Sequence, residues 1–221
     1  LLVVTAVPAE RAAVLAGLDP AGLDPAGLDP AGTDPAGAGP WAVTVAVVGV
    51  GPAASAAGTG RLLALAEAAG CRYDAVLVAG IAGGFSGVVG VGGLALASAS
   101  VAADLGADTD AGFVGIDELG FGTAIAPTDP ALTAAVRAAL PAAVVGTIVS
   151  VSTVTGTAAR ADALRARYPE VVAEAMEGHG AAVAAAAAGA RFAELRAISN
   201  PVGPRDRAAW RIPAALAALT T

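Results

Sequence analysis

The chain has 221 residues, a net charge of −7 and a hydrophobic fraction of 56 %. That length suits one well-buried domain and is short for two, and the acidic balance excludes the broad basic field that nucleic acid or an anionic membrane surface selects. All 12 basic residues are Arg, which excludes a phosphate-loop lysine and a Schiff-base lysine, while one Cys (Cys71) and one His (His179) exclude an intrachain disulfide and leave a zinc site short of ligands.

Residues 1–6 form an apolar run that predicts a buried strand, and 9–16 predict a helix. Leu18-Asp19-Pro20-Ala21-Gly22 then recurs at Leu23, at Leu28 and, with Thr in the first place, at Thr33. A Pro and a Gly in every unit oppose helix and strand alike, so 18–40 reads as a surface loop inserted in a single domain spanning 1–221. Residues 41–48 predict a strand, Gly49-Val50-Gly51-Pro52 a turn, and 53–69 an Ala/Leu helix. The uncharged stretch 75–103 raises the question of a membrane span. Its many glycines and its lack of a flanking basic cluster favour buried strands, at 75–79 and 94–103, joined by turns. Residues 104–126 are glycine-rich and read as irregular. Further helices are predicted at 130–139, 158–167, 180–188 and 213–219, and further strands at 144–151, 171–175 and 192–198. The opening Leu-Leu-Val-Val has no basic segment of a secretory signal, and the expected location is cytoplasmic.

Strands that alternate with helices and are apolar along their length predict an α/β domain with its sheet covered on both faces. Ligands collect at the carboxyl ends of such strands. The residues of interest there are Glu10, Gly49 to Gly51, Gly80 to Gly84, Ser152 to Gly156, Met176-Glu177 and Ser199-Asn200. Gly49-x-Gly51-x-x-Ala54 matches a loose dinucleotide fingerprint, but no acid ends the next strand, so it reads as a tight turn. Glu177 stands where a carboxylate accepts hydrogen bonds from a sugar diol, and equally where a helix dipole favours an acid. Position alone makes Asn200 an Asx turn before Pro201, Glu10 a first-turn helix acid and His179 a structural residue.

Five segments occur in an order that adds specificity: Ala6-Val7-Pro8-Ala9-Glu10, Val48 to Ala54, Gly80-Ile81-Ala82-Gly83-Gly84, Ala175-Met176-Glu177-Gly178 and Arg196-Ala197-Ile198-Ser199-Asn200. Together they resemble the purine nucleoside phosphorylase / nucleosidase superfamily over nearly the whole chain. The resemblance implies a three-layer α/β/α domain around a central mixed, mostly parallel sheet. It implies a small-molecule nucleoside as partner, no nucleic acid or membrane partner, no cofactor, no metal, and a homo-oligomer. Glu10 stands where hydrolytic members carry the acid that activates water, and Asn200 where adenine-cleaving members carry an Asp that protonates the base. Glu177 matches the ribose-binding acid beside Met176, and Arg196 an Arg near the water. Ala82, Gly83, Thr153, Val154, Thr155 and Ser199 complete the implied substrate-binding set. An amide at 200 suits a 6-oxopurine, because a carboxylate would repel the O6 acceptor. Ile81 departs from a Ser found in related nucleosidases.

Ala103 to Asp108, Asp117 to Gly122 and Ser199 to Asp206 are similar to a branch that releases hypoxanthine from a nucleoside with an aryl ketone and carboxylate tail. Phe113, Phe121 and one of Arg205, Arg207 or Arg211 are candidates for that tail. Three alternatives stay open: a purine nucleoside phosphorylase with Arg11 or Arg61 in an anion site, a methylthioadenosine/S-adenosylhomocysteine nucleosidase, and a non-catalytic nucleoside-binding protein of the same fold.

Overall fold

The sheet begins with a strand buried on both faces, β1 (Leu2–Thr5). Leu2 and Val4 enter one apolar cluster and Val3 another, as the two-residue period of a strand requires. The structure is a computed structural model that describes residues 1–18 and 43–221. The predicted loop beyond Leu18 and the first two residues of the predicted strand at 41–48 lie outside the described residues.

The elements follow in the order α1 (Pro8–Gly17), β2 (Thr44–Val47), α2 (Pro52–Ala68), β3 (Ala75–Gly84), β4 (Leu94–Ala102), β5 (Gly106–Thr109), β6 (Gly112–Gly115) and β7 (Ile125–Pro127). Then come α3 (Pro130–Ala139), β8 (Val144–Ser150), α4 (Ala158–Arg167), β9 (Val171–Ala175), α5 (Gly178–Ala187), β10 (Arg191–Pro201) and α6 (Ile212–Ala218). Proline in the first turn of α1, α2, α3 and α6 starts these helices, since its missing N–H has no partner there in any case.

The sheet is mixed and mostly parallel. The parallel pairs are β1–β2, β1–β3, β3–β10, β4–β8 and β8–β9; the antiparallel ones are β4–β10, β3–β9 and β4–β7. The pairs β3–β10–β4–β8–β9–β3 close a ring, with β2 and β1 extending from β3 as an open sheet. All five ring strands contribute to one cluster of small residues, including Ala82, Ala95, Ala97, Ile148, Ala173, Ala175 and Ile198. Alanine dominates there because a narrow closed ring leaves little interior space. Helices α2 and α5 cover one face of the open part, and α1 and α6 the other.

Two expectations change. The segment 104–126 is not irregular throughout: β5 and β6 form an antiparallel hairpin, turned by Gly112 at φ 113°, and β7 adds to β4. Glycine dilutes the alternation in sequence but permits contact in space, since a Cβ at Gly106 would lie 2.1 Å from the carbonyl oxygen of Val114. Strand β3 also runs past 79 to Gly84, because β10 and β9 supply hydrogen-bond partners that outweigh the entropic cost of glycine.

Candidate active site

Strand β1 ends before β3 does, so β3 has no strand on its β1 side at Ile81, while β10 pairs with it on the other. Glu10, in the first turn of α1, fills the gap. Its Oε1 accepts the Ile81 N–H at 2.8 Å, and its Oε2 accepts the N–H groups of Ala6 at 2.8 Å and Val7 at 3.2 Å. The side chain is buried and fixed by three donors, with about one lone pair to spare. It is therefore more than a helix-start acid, since the carboxylate ties the link between β1 and α1 to β3.

Arg196 lies on β10 opposite Gly80. A Cβ at Gly80 would sit 2.8 Å from both Arg196 Nη1 and Glu10 Oε1, so glycine lets carboxylate and guanidinium converge. Arg196 Nη1 donates to Glu177 Oε2 at 3.0 Å and its Nε to Glu194 Oε1 at 2.9 Å. Its Nη2 has no partner among the described residues. Burial works against the Arg196 charge, but Glu194, Glu177 and Glu10 outweigh it and raise its pKa. Glu177 is further held by the N–H of Gly51 at 3.2 Å, where φ is 92°. The glycine pair at 49–51 thus serves as a turn, and its end clamps Glu177.

At Ser199 the pairing of β10 with β3 slips by one residue, which brings Asn200 opposite Gly83. Such bulges re-aim a side chain. Asn200 and Glu10 thus address points of β3 two residues apart, about 7 Å along the strand. Ser199 Oγ shares its one hydrogen between Ala82 O and Asn200 Oδ1, and Asn200 Nδ2 gives one hydrogen to Pro201 O and keeps one. A Cβ at Gly83 would lie 3.4 Å from Asn200 Nδ2 and 2.8 Å from Val202, which explains the glycine.

The turn Ser152 to Gly156 stands at the end of β8. Asp104 Oδ2 accepts the Ser152 N–H at 2.7 Å, while Glu174 Oε1 accepts the Thr155 N–H at 2.7 Å and its Oε2 the Thr155 hydroxyl. Thr155 is thereby turned inward, while Thr153 and Val154 are exposed. Glu174 lies opposite Gly83 on β9, two strands from Asn200. Burial pushes its pKa up against the pull of Thr155. Met176 is half-buried between β9 and α5.

Sequence reasoning missed Glu174 and Glu194. The available signal was a lone acid inside an apolar strand, and for Glu194 an Arg two residues later on the same face. Other candidates fall elsewhere. The Nε of Arg11 donates to Val45 O at 2.9 Å, and Arg61 is exposed on α2. Phe113 stacks under the Arg167 guanidinium at 4.1 Å, and Phe121 is 81 % exposed. The His179 N–H bonds to Ser150 Oγ at 2.9 Å, burial lowers its imidazole pKa, and it lines a groove with Asp129 and Val183.

A family model described as the phosphorylase superfamily matches residues 1–218. The solved 5'-methylthioadenosine/S-adenosylhomocysteine nucleosidase of Neisseria meningitidis, in complex with methylthio-immucillin-A, superposes with a TM-score of 0.78 at 20 % identity, over 99 % of this chain and 94 % of that one. The futalosine hydrolase structure from Helicobacter pylori gives 0.75 at 19 %, over 99 % and 93 %. Fold and family match together define a member of the phosphorylase superfamily. Among curated relatives, futalosine hydrolase of Streptomyces coelicolor is 51 % identical over 221 residues, covering 100 % of this chain and 92 % of that protein. Futalosine hydrolase of Acidothermus cellulolyticus is 47 % identical over 219 residues, covering 97 % and 85 %. The chain belongs to the futalosine hydrolase family of the phosphorylase superfamily.

Proposed function

We propose that the chain hydrolyses the N-glycosidic bond of futalosine, releasing hypoxanthine and dehypoxanthine futalosine, a step of menaquinone biosynthesis. The carrying observation is the placement of Glu10 and Asn200 at neighbouring points of the β3 end, with Arg196 and Glu177 beside them. Cleavage of C1′–N9 builds positive charge on the sugar and negative charge on the base. Glu177 holds the ribose hydroxyls through its outer lone pairs. Glu10 takes a proton from water as the water oxygen bonds to C1′, and the C1′–N9 electron pair leaves with the purine. Asn200 donates its remaining N–H to the departing 6-oxopurine, which draws its proton from solvent. Ala82, Gly83 and Ser199 line this edge. The backbone of Thr153 and Val154, held by Thr155, meets the base, and Met176 meets the sugar.

Water is preferred to phosphate because Glu10, Glu177 and Glu194 surround a single Arg196, and further negative charge is repelled there. The same reading places the enzyme in the cytoplasm. It carries a homo-oligomer, which the exposed Phe121, Ile125 and Val183 support and sedimentation tests.

Base release from futalosine, inosine, adenosine and methylthioadenosine, each with and without phosphate, tests the reaction. Futalosine is expected to be cleaved fastest and independently of phosphate. Glu10→Gln should keep substrate binding and lose on the order of 10²–10⁴ in kcat, the usual worth of a general base. Adenine release as the faster reaction, or strict phosphate dependence, rejects the proposal.

A further inference from the structure

The proposed reaction leaves one buried acid at the strand ends unused. Glu174 is 6 % exposed and is the one charged residue among the five buried positions of β9. Among the described residues no Arg nitrogen lies within 4.0 Å of its carboxylate, so no ion pair offsets its burial. Arg160 attracts it and Asp104 repels it, and desolvation outweighs the attraction and the hydrogen bonds in raising its pKa. On stability alone, a neutral residue would suit this apolar strand better.

The carboxylate spends both its oxygens on one residue of the turn that follows β8. Oε1 accepts the Thr155 N–H at 2.7 Å, and Oε2 accepts the Thr155 hydroxyl. At the other end of the turn Asp104 Oδ2 accepts the Ser152 N–H at 2.7 Å. Thr153 and Val154 are exposed between these two anchors. Gly156, next in the chain, accepts the Arg205 N–H through its carbonyl at 3.2 Å, which ties the turn to the segment beyond Asn200. Across the sheet, Glu174 and Asn200 both pair with Gly83, one on each side of β3. The strand spacing sets their backbones about 10 Å apart, and Gly83 brings no side chain between them. The register of three strands therefore fixes where the amide of Asn200 stands relative to the anchor of the turn.

We propose that Glu174 is a positioning residue for base recognition: through Thr155 it fixes the 152–156 turn relative to Asn200, and so lets the site tell a 6-oxopurine from a 6-aminopurine. The two bases differ along one edge. The oxo form presents an acceptor at C6 and an N–H at N1, and the amino form presents a donor at C6 and a bare nitrogen at N1. A side-chain amide exchanges donor for acceptor by a half-turn. The peptide groups of a turn keep their direction, so they reject the mismatched base as long as the turn itself is held. The inference rests on the proposed nucleosidase reading and deepens it.

The test measures kcat and KM for futalosine and its 6-aminopurine analogue in wild type, Glu174→Gln, Glu174→Leu, Thr155→Val and Leu63→Ala. Leu63 is buried on α2 in a cluster that does not include the turn, so its truncation lowers stability without touching Thr155. Wild type and Leu63→Ala should share one preference for the oxopurine in kcat/KM. Glu174→Gln should keep that preference, because the amide oxygen accepts the Thr155 N–H and the amide NH₂ donates to the Thr155 hydroxyl oxygen. Glu174→Leu and Thr155→Val should cut the preference about tenfold, the worth of one hydrogen bond. The loss should fall on KM for futalosine and leave kcat, since Glu10 is untouched. Thr155→Val keeps the side-chain volume and decides the question where Glu174→Leu fails to fold. An unchanged preference in Thr155→Val, its loss in Glu174→Gln, or an equal loss in Leu63→Ala overturns the positioning role and spares the nucleosidase reading. A wild type that leaves futalosine intact, or cleaves the aminopurine faster, overturns both.

Discussion

Arg196 carries one positive charge between Glu177 and Glu194, with Glu10 close by, and all four side chains are buried. Removing the cation alone would strand two carboxylates in the interior, so the cluster stands or falls as a unit. Two buried acids also make stability depend on pH. Burial raises the pKa of Glu194 against the pull of Arg196, and that of Glu174 against Thr155. A raised folded-state pKa means that the folded chain holds the proton more tightly than the unfolded chain. The stabilisation is full below the ordinary carboxylate range and is lost as pH rises through the raised values. Glu174→Gln is therefore expected to flatten the fall in Tm across that window, measured by thermal melts over a pH series. Parallel slopes in wild type and variant would refute the assignment.

At the scale of elements, glycines decide how closely segments meet. The contact of α2 with α5 is made at Gly180, where a Cβ would lie 2.2 Å from Pro52 O and 3.1 Å from Ala56 N. Gly180→Ala must push the helices apart, at a cost of about 1–3 kcal/mol by urea denaturation. The first turn of α2 follows Gly51, whose N–H holds Glu177, so the same variant should raise KM for the nucleoside. Unchanged stability would mean that the helix pair adjusts freely. The bulge at Ser199 works in the same way from the strand side: one extra residue turns Asn200 toward Gly83.

For the whole molecule, ring closure is the organising event. Ala97 is fully buried inside it, in contact with residues of the other ring strands. Ala97→Leu should cost about 1–3 kcal/mol by denaturant titration, because the ring has no spare volume. A neutral outcome would show an interior looser than the cluster implies. Much of this architecture was legible in the residues. The apolar run of β1, the Pro-led helices and the strands β4, β8 and β9 follow from pattern alone; Glu10, Glu177 and Asn200 stand at the carboxyl ends of predicted strands, and Arg196 came from the family resemblance. The β5–β6 hairpin was hidden by glycine, and Glu174 and Glu194 by their apolar neighbours in sequence.

Local chemistry along the chain determined the alternation of strands and helices, the burial of the sheet on both faces and the residue types at its carboxyl edge, because periodicity and side-chain polarity act over a few residues. Only the folded arrangement decided that β3 and β9 close a ring, that Thr155 turns inward to Glu174, and that Arg196 is shared among carboxylates from its own strand and two other segments. Hydrogen bonds of this kind join residues distant in sequence, as between Gly51 and Glu177, 126 positions apart. Pairing over such separations depends on shape and on which polar groups remain unsatisfied after the layers assemble, and neither is written in any single stretch of sequence.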